Sequence, residues 1–362
     1  MKDLNNVYLT EILLDLVDQR ISLTSLLPEL SELTLADKWR SQAFGITPEN
    51  VTKVMETRSH LCKAIISQLQ TQAEINNFFS RFDFSHFLLQ LWNLWLPLAL
   101  QIVDRRQSLQ RPFIQGILGG QGTGKTTLTK ILTFILQELG YSTVNFSLDD
   151  IYKTYLERCK LKEIEPRLIW RGPPGTHDIT LGLTVLEQLR QPNERHPILI
   201  PRFDKSDWGG VGDRSEPEII IGADIVLFEG WFVGARPIDP VVFDHPPVPI
   251  VSEADKAFAR DMNSNLQDYL ALWEYLDSLM VLYPVDYRLS LQWRQQAERE
   301  MIATGKTGMS DAEIEEFVKY FWKSLHPELF IQPLINNAEL VDLVVEINSD
   351  HSAGIVYKPG AK

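Results

Sequence analysis

The sequence predicts an α/β fold: a mostly parallel sheet with helices on both faces, preceded by an α-helical extension over residues 1–110. Two observations carry this. From residue 111 onward, short apolar runs alternate with stretches of helical pattern, as strands buried on both faces and joined by crossover helices do. Before residue 110 the pattern reads as helical.

In the extension, Thr47-Pro48 reads as a cap followed by proline at the first helical position. The helix after it sets Val51, Val54, Met55, Leu61, Ile65 and Leu69 close to one face. The run "FLLQLWNLWLPLALQIV" (87–103) is uncharged but is interrupted by Gln90, Asn93, Pro97 and Gln101. It falls short of the ~20 clean apolar residues of a membrane span and reads as a buried or interface-forming helix. No catalytic constellation occurs here, so the expected role is packing or homo-oligomer formation through these helices.

Residues 111–362 form the second unit. Its strand candidates are "FIQGIL" (113–118), "STVNFSL" (142–148), "PILIP" (197–201), "DIVLFEG" (224–230), "SLMVLY" (278–283) and "LVDLVVEI" (340–347). Helical stretches at 124–139, 178–191, 259–277, 287–303 and 310–326 lie among them, with 287–326 expected as a lid region. Ligands of such sheets bind at the carboxyl ends of the strands. The stretch "RFDKSDWGGVGDRSEP" (202–217) crowds charges and glycines without a period of 2 or 3.6, and reads as a loop.

Bulk properties narrow the function classes. A formal charge of -13 argues against nucleic-acid binding, whose affinity comes mainly from Lys and Arg on phosphates. Cys62 and Cys159, far apart, suggest a reduced cytoplasmic protein without a disulfide framework or zinc site. Asp3, Glu11, Asp15 and Asp18 in the first twenty residues do not suit a signal or transit peptide, and no membrane partner is expected.

The strongest motif is "GGQGTGKTT" (119–127), which matches G-x-x-x-x-G-K-[ST] between an apolar strand and a helix. It makes the expected fold P-loop NTPase-type. Gly119, Gly120, Gln121, Gly122, Thr123 and Gly124 wrap the phosphates with backbone N–H groups, and Lys125, Thr126 and Thr127 open the helix. Lys125 reaches the β- and γ-phosphates of ATP, and the Thr126 hydroxyl completes a Mg²⁺ shell.

The next strand ends in "SLDDIY" (147–152), delivering two carboxylates where the γ-phosphate must lie. One of Asp149 and Asp150 can accept the proton of a substrate hydroxyl while the other assists Mg²⁺ or orients the first. "ADIVLFEGWFVG" (223–234) brings Glu229 to a strand end, where it can hold a metal-bound water. In "WRGPPGTHD" (170–178), Asp178 reads as a helix cap, and Arg171 and His177 as candidate ligand contacts. In "YRLSLQWRQQAEREM" (287–301), Arg288 and Arg299 share a helix face with Arg294 turned away, in a place suited to a lid carrying cations onto the phosphoryl group.

In order along the chain, "GTGKTTL", "SLDDIY", "RGPPGTHD", "PRFDKSDWGGVGDR", "VLFEGWFVG", "NLQDYLALW", "QWRQQAE" and "GMSDAEIEEFV" resemble the P-loop kinases that include uridine kinase, phosphoribulokinase and bacterial pantothenate kinase. Within that group the resemblance is nearest to D-glycerate 3-kinases of the plant and cyanobacterial type. It implies transfer of the ATP γ-phosphate to the 3-hydroxyl of D-glycerate and a place in photorespiratory salvage. It further implies Asp149 as general base and metal contact, Glu229 as metal-organising, and the 287–301 helix as lid, with Arg288 and Arg294 as its ATP-contacting candidates. One departure is plain: where uridine kinases concentrate arginines at the start of the lid, Leu291, Gln292 and Trp293 stand here. Glycerate is a small anion that needs charge-assisted hydrogen bonds, so Arg202, Lys205 and Arg214 join Arg171 and His177 as acceptor-binding candidates. The rival readings are a nucleoside or pantothenate kinase of the same architecture, the former with Tyr152, Trp170 or Trp208 as base platform, or an ATP-dependent switch acting through the N-terminal helices.

Overall fold

The computed structural model describes residues 2–71, 83–191, 197–303 and 308–361. Its centre is a six-stranded sheet in the order β2-β5-β1-β6-β7-β8, with β1 at Phe113–Gly119, β2 at Thr143–Ser147, β5 at Ile225–Gly230, β6 at Ser278–Pro284, β7 at Leu343–Ile347 and β8 at Ala353–Tyr357. All neighbours are parallel except β7 and β8. β1 is buried at every residue, which explains its unbroken apolar run in the sequence.

The two faces of the sheet carry separate cores. Ile114, Leu118, Phe146, Phe228 and Val281 face one way, among Val185, Leu189, Tyr269 and Trp273. Phe113, Ile117, Leu227, Met280 and Val345 face the other, against the helix Lys125–Glu138 and the N-terminal helices. The extension is therefore continuous with the core of the sheet. Its helix Val51–Thr71 begins later than Thr47-Pro48 predicts. Residues 48–50 form a turn instead, with the Asn50 side chain accepting from the Thr47 N–H at 2.8 Å.

Residues Phe84–Gln107 form one continuous helical stretch that is long and apolar enough to cross a membrane, yet Leu88, Leu91, Trp92, Leu96 and Ile102 are buried inside the fold. Its turn Leu91–Trp95 is widened to a π-helix just before Pro97. Proline lacks an N–H and its ring crowds the carbonyl four residues earlier, and the wider turn relieves both.

Two expectations need correction. "PILIP" lies outside the main sheet: among the described residues, β3 (Ile198–Asp204) pairs only with β4 (Asp213–Ile220), antiparallel. The 202–217 stretch is thus the arms and tip of a β-hairpin. β4 escapes sequence reading because residues 215–219 are exposed on both faces, so no burial alternation is imprinted on it. At the tip, Trp208, Gly209, Gly210 and Gly212 all take positive φ, which explains the glycines.

Candidate active site

The site is assembled at the carboxyl ends of β1, β2 and β5. Their parallel register sets Ser147 opposite Glu229, and Glu229 opposite Ile117, two residues before Gly119. The loop after β1 closes on itself: Thr123 Oγ1 donates to the Gly120 carbonyl at 2.8 Å, and Lys125 Nζ to the same oxygen at 3.2 Å. A Cβ on Gly119 would lie 2.5 Å from Thr123 Oγ1, and one on Gly122 2.7 Å from the Trp293 Cβ. Gly122 and Gly124 take φ of 78° and 83°. The loop thus requires glycine on steric and dihedral grounds together.

After β2, the short turn Leu148–Ile151 separates the two aspartates. Asp150 bends back to accept the Ser147 N–H at 2.9 Å and pairs with Arg202 at 2.8 Å, so it caps the turn. Asp149 faces Lys125 and Glu229. Its Oδ1 accepts from the Tyr152 hydroxyl at 2.8 Å and its Oδ2 from Lys205 Nζ at 2.6 Å. Burial works to raise the Asp149 carboxyl, but the Lys205 charge and the hydrogen bonds from Lys205 and Tyr152 outweigh it and hold it below the usual carboxylate range. Glu229 goes the other way, raised by burial against the pull of Lys125, and burial also lowers Lys125. The result is an ionised acid, a neighbouring acid of higher pKa and two lysines around the loop.

Of the acceptor-binding candidates, Lys205 alone reaches Asp149; its side chain is 60% exposed. Arg202 is held by Asp150, Glu218 and the Asn145 carbonyl, and Arg214 by Asp178 and the Tyr152 carbonyl. Both are braces that fix the hairpin to the body. Asp178 also caps the helix Ile179–Arg190. Arg171 donates to the carbonyls of Gly210 and Val211 and lies over the Phe203 ring, fastening the hairpin tip. His177 is fully buried, stacked on Tyr152 and bonded to the Tyr269 hydroxyl at 2.7 Å. Burial lowers its pKa to about 3, so it is a neutral core imidazole supporting Tyr152.

The lid expectation also changes. Arg288 pairs with Asp286, and Arg294 pairs with Glu298 over the Phe317 ring, so neither meets the glycine loop. Trp293 does: it packs on Gly122, stacks on His351 and donates to the Ser349 carbonyl at 3.0 Å.

A cavity of about 580 Å³ opens beside the loop, between residues 122–128, Asp350 and His351 of the β7–β8 turn, and Asp83, His86 and Gln90 of the extension. Reading the sequence missed these last three, because the P-loop and the extension are too far apart in sequence for spacing to connect them. On the other side of Gly120 lies an apolar hollow of about 60 Å³ walled by Trp231, Phe232, Tyr287 and Phe321. Among the described residues, no group of three His, Cys, Asp or Glu side chains converges as a metal cage.

No family profile matches the chain. It is 35% identical over 219 residues to an uncharacterized kinase of Schizosaccharomyces pombe, covering 58% of this chain and 79% of that one. It is 32% identical over 233 residues to the chloroplastic D-glycerate 3-kinase of Arabidopsis thaliana, covering 61% of this chain and 49% of that enzyme, about half its length. Among solved structures, D-glycerate 3-kinase from Cryptococcus neoformans superposes with a TM-score of 0.64 at 28% identity, covering 72% of this chain and 96% of that one.

Proposed function

The chain belongs to the P-loop kinase family that includes D-glycerate 3-kinase, and we propose that it transfers the γ-phosphate of ATP to the 3-hydroxyl of D-glycerate, giving 3-phosphoglycerate and ADP. The observation that carries the reading is the Lys205–Asp149 pair, an exposed cation bonded at 2.6 Å to an ionised acid beside the P-loop lysine. A small hydroxy acid needs both: a cation for its carboxylate and a base for its hydroxyl.

The nucleotide phosphates sit against the N–H groups of the 119–126 loop and Lys125, and the 580 Å³ cavity takes the nucleoside. Mg²⁺, when bound, would neutralise charge that develops on the phosphates. The exposed Thr126 hydroxyl with Asp149 and Glu229 suits it, since Mg²⁺ keeps several waters and needs only one or two carboxylates beside the phosphates. The acceptor carboxylate competes for Lys205 and frees Asp149. The 3-hydroxyl oxygen then bonds to the γ-phosphorus as the bond to the β,γ-bridging oxygen breaks. Its proton passes to Asp149, and the bridging oxygen leaves with ADP. Asp149, released from Lys205 but still accepting from the Tyr152 hydroxyl, remains a modest base, which suits a loose transition state making little demand on the nucleophile.

The aromatic platforms a nucleoside acceptor would need are already engaged. Tyr152 stacks on His177, Trp170 packs on Phe317 and Tyr320, and Trp208 stacks on Tyr155 with ring centroids 4.4 Å apart. The test is ADP release with D-glycerate, L-glycerate, uridine, pantothenate or ribulose 5-phosphate as acceptor. Turnover with D-glycerate and appearance of 3-phosphoglycerate support the reading. Preference for any other acceptor, or turnover independent of all of them, overturns it.

A further inference from the structure

Arg58, on the helix Val51–Thr71, has no part in the kinase site, is only 3% exposed, and lies over the Trp92 ring at 5.3 Å. Among the described residues it makes no ion pair or hydrogen bond, and its buried Nε has no acceptor. Its electrostatic neighbours are the Cys62 thiol, which burial pushes up to about 12 and so keeps neutral, and a second cation, Arg40; burial lowers the Arg58 pKa only to about 10, leaving it charged at neutral pH. A buried charge with no countercharge is strongly destabilising unless something supplies one.

Space for such a partner exists. Arg58 borders a recess of about 30 Å³ that shares the walls Asp37, Arg40 and Asn93 with an outer cleft of about 430 Å³, reaching Lys38 and Ile355 of β8. The acid at this site, Asp37, is already paired with Arg40. Arg40 also donates to the β8 carbonyls of Ala353 at 3.3 Å and Gly354 at 2.7 Å. The recess holds one small polar group, and the cleft beyond it holds a larger remainder.

We propose that this cleft binds a small oxoanion, the carboxylate or phosphate of a metabolite, against Arg58 and next to Arg40. The bound anion supplies the countercharge Arg58 lacks and ties the helix Val51–Thr71 to β8 through Arg40. This site is separate from the P-loop and stands whether or not the acceptor is glycerate.

The experiment is thermal unfolding of the full chain at equal ionic strength, with low millimolar acetate or inorganic phosphate compared against chloride. One or both oxoanions should raise Tm by about 2–4 °C at saturation. Phosphate also suits the P-loop, so the rise must persist in Lys125→Ala. It must vanish in Arg58→Met, which keeps the packing on Trp92 without the charge and should unfold no lower than wild type in chloride. A rise with acetate alone assigns a carboxylate, and one with phosphate alone a phosphate. No rise over chloride in the unmodified chain, a measurement independent of whether Arg58→Met folds, overturns the site. An equal rise in a folded Arg58→Met protein overturns it too.

Discussion

Replacing Lys205 by alanine separates the two roles that the 2.6 Å contact with Asp149 combines. In the proposed reaction Lys205 gives the acceptor carboxylate a charge-assisted hydrogen bond, worth about 1.5–3 kcal/mol. At 1.4 kcal/mol per decade, kcat/KM for D-glycerate should fall about 10- to 150-fold. The lysine is 60% exposed, so water screens part of its charge and the lower half of that range is expected. The second effect appears in the pH profile. Asp149 must be ionised to accept a proton, and Lys205 is the main influence holding its pKa down against burial. Without Lys205 that pKa rises, so the acid limb of kcat/KM moves to higher pH. ATP affinity should stay within about threefold, because the hydrogen bond Lys205 makes is to Asp149. The assay is steady-state kinetics from about pH 3 upward, so that the parent's acid limb falls inside the range, with each substrate varied at saturating levels of the other. An unchanged D-glycerate KM together with an unmoved acid limb would refute both the acceptor contact and the control of Asp149.

Lys125→Ala should abolish phosphoryl transfer and weaken ATP while leaving the far-ultraviolet circular dichroism spectrum intact, read by nucleotide titration on the folded protein. Asp149→Asn should lower kcat by about 10²–10⁴-fold. Asp150→Asn should instead lower Tm, since it loosens the turn cap and the Arg202 pair at 2.8 Å; comparing the two by kinetics and by melting distinguishes chemistry from scaffold. His177 is held neutral in the fold with its pKa depressed from 6.5 to about 3. The unfolded chain therefore binds the extra proton first, and stability should decline as pH falls from about 6.5 toward 3. Urea unfolding across that range should show a shallower decline in His177→Phe than in the parent.

The legible parts of the sequence are those where structure is written locally. β1, β5 and β6 are apolar runs because both faces are buried, and the 119–127 loop carries its glycines and Lys125 within nine residues. What stayed hidden depends on partners distant in the chain. Arg202 and Arg214 read as free cations on a loop, yet their carboxylates, Asp150 and Asp178, lie 52 and 36 residues away. The rotation of the helix Leu289–Ala303 could not be fixed from its own period, so the arginines drew the eye while Trp293 took the place on Gly122. β8 and β4 lack the long apolar signal because one is short and the other exposed.

The register of β2, β5 and β1 also bears on biosynthesis. Asp149, Glu229 and the glycine loop become neighbours only when three strands spanning residues 113 to 230 have paired without a slip. A shift of one residue in β5 would turn Glu229 to the opposite face of the sheet. A nascent chain released before residue 230 therefore lacks a complete phosphate site, however well its first helix forms. A ligand that needs the complete phosphate site binds only the correctly paired sheet, and so stabilises that population over slipped ones by mass action.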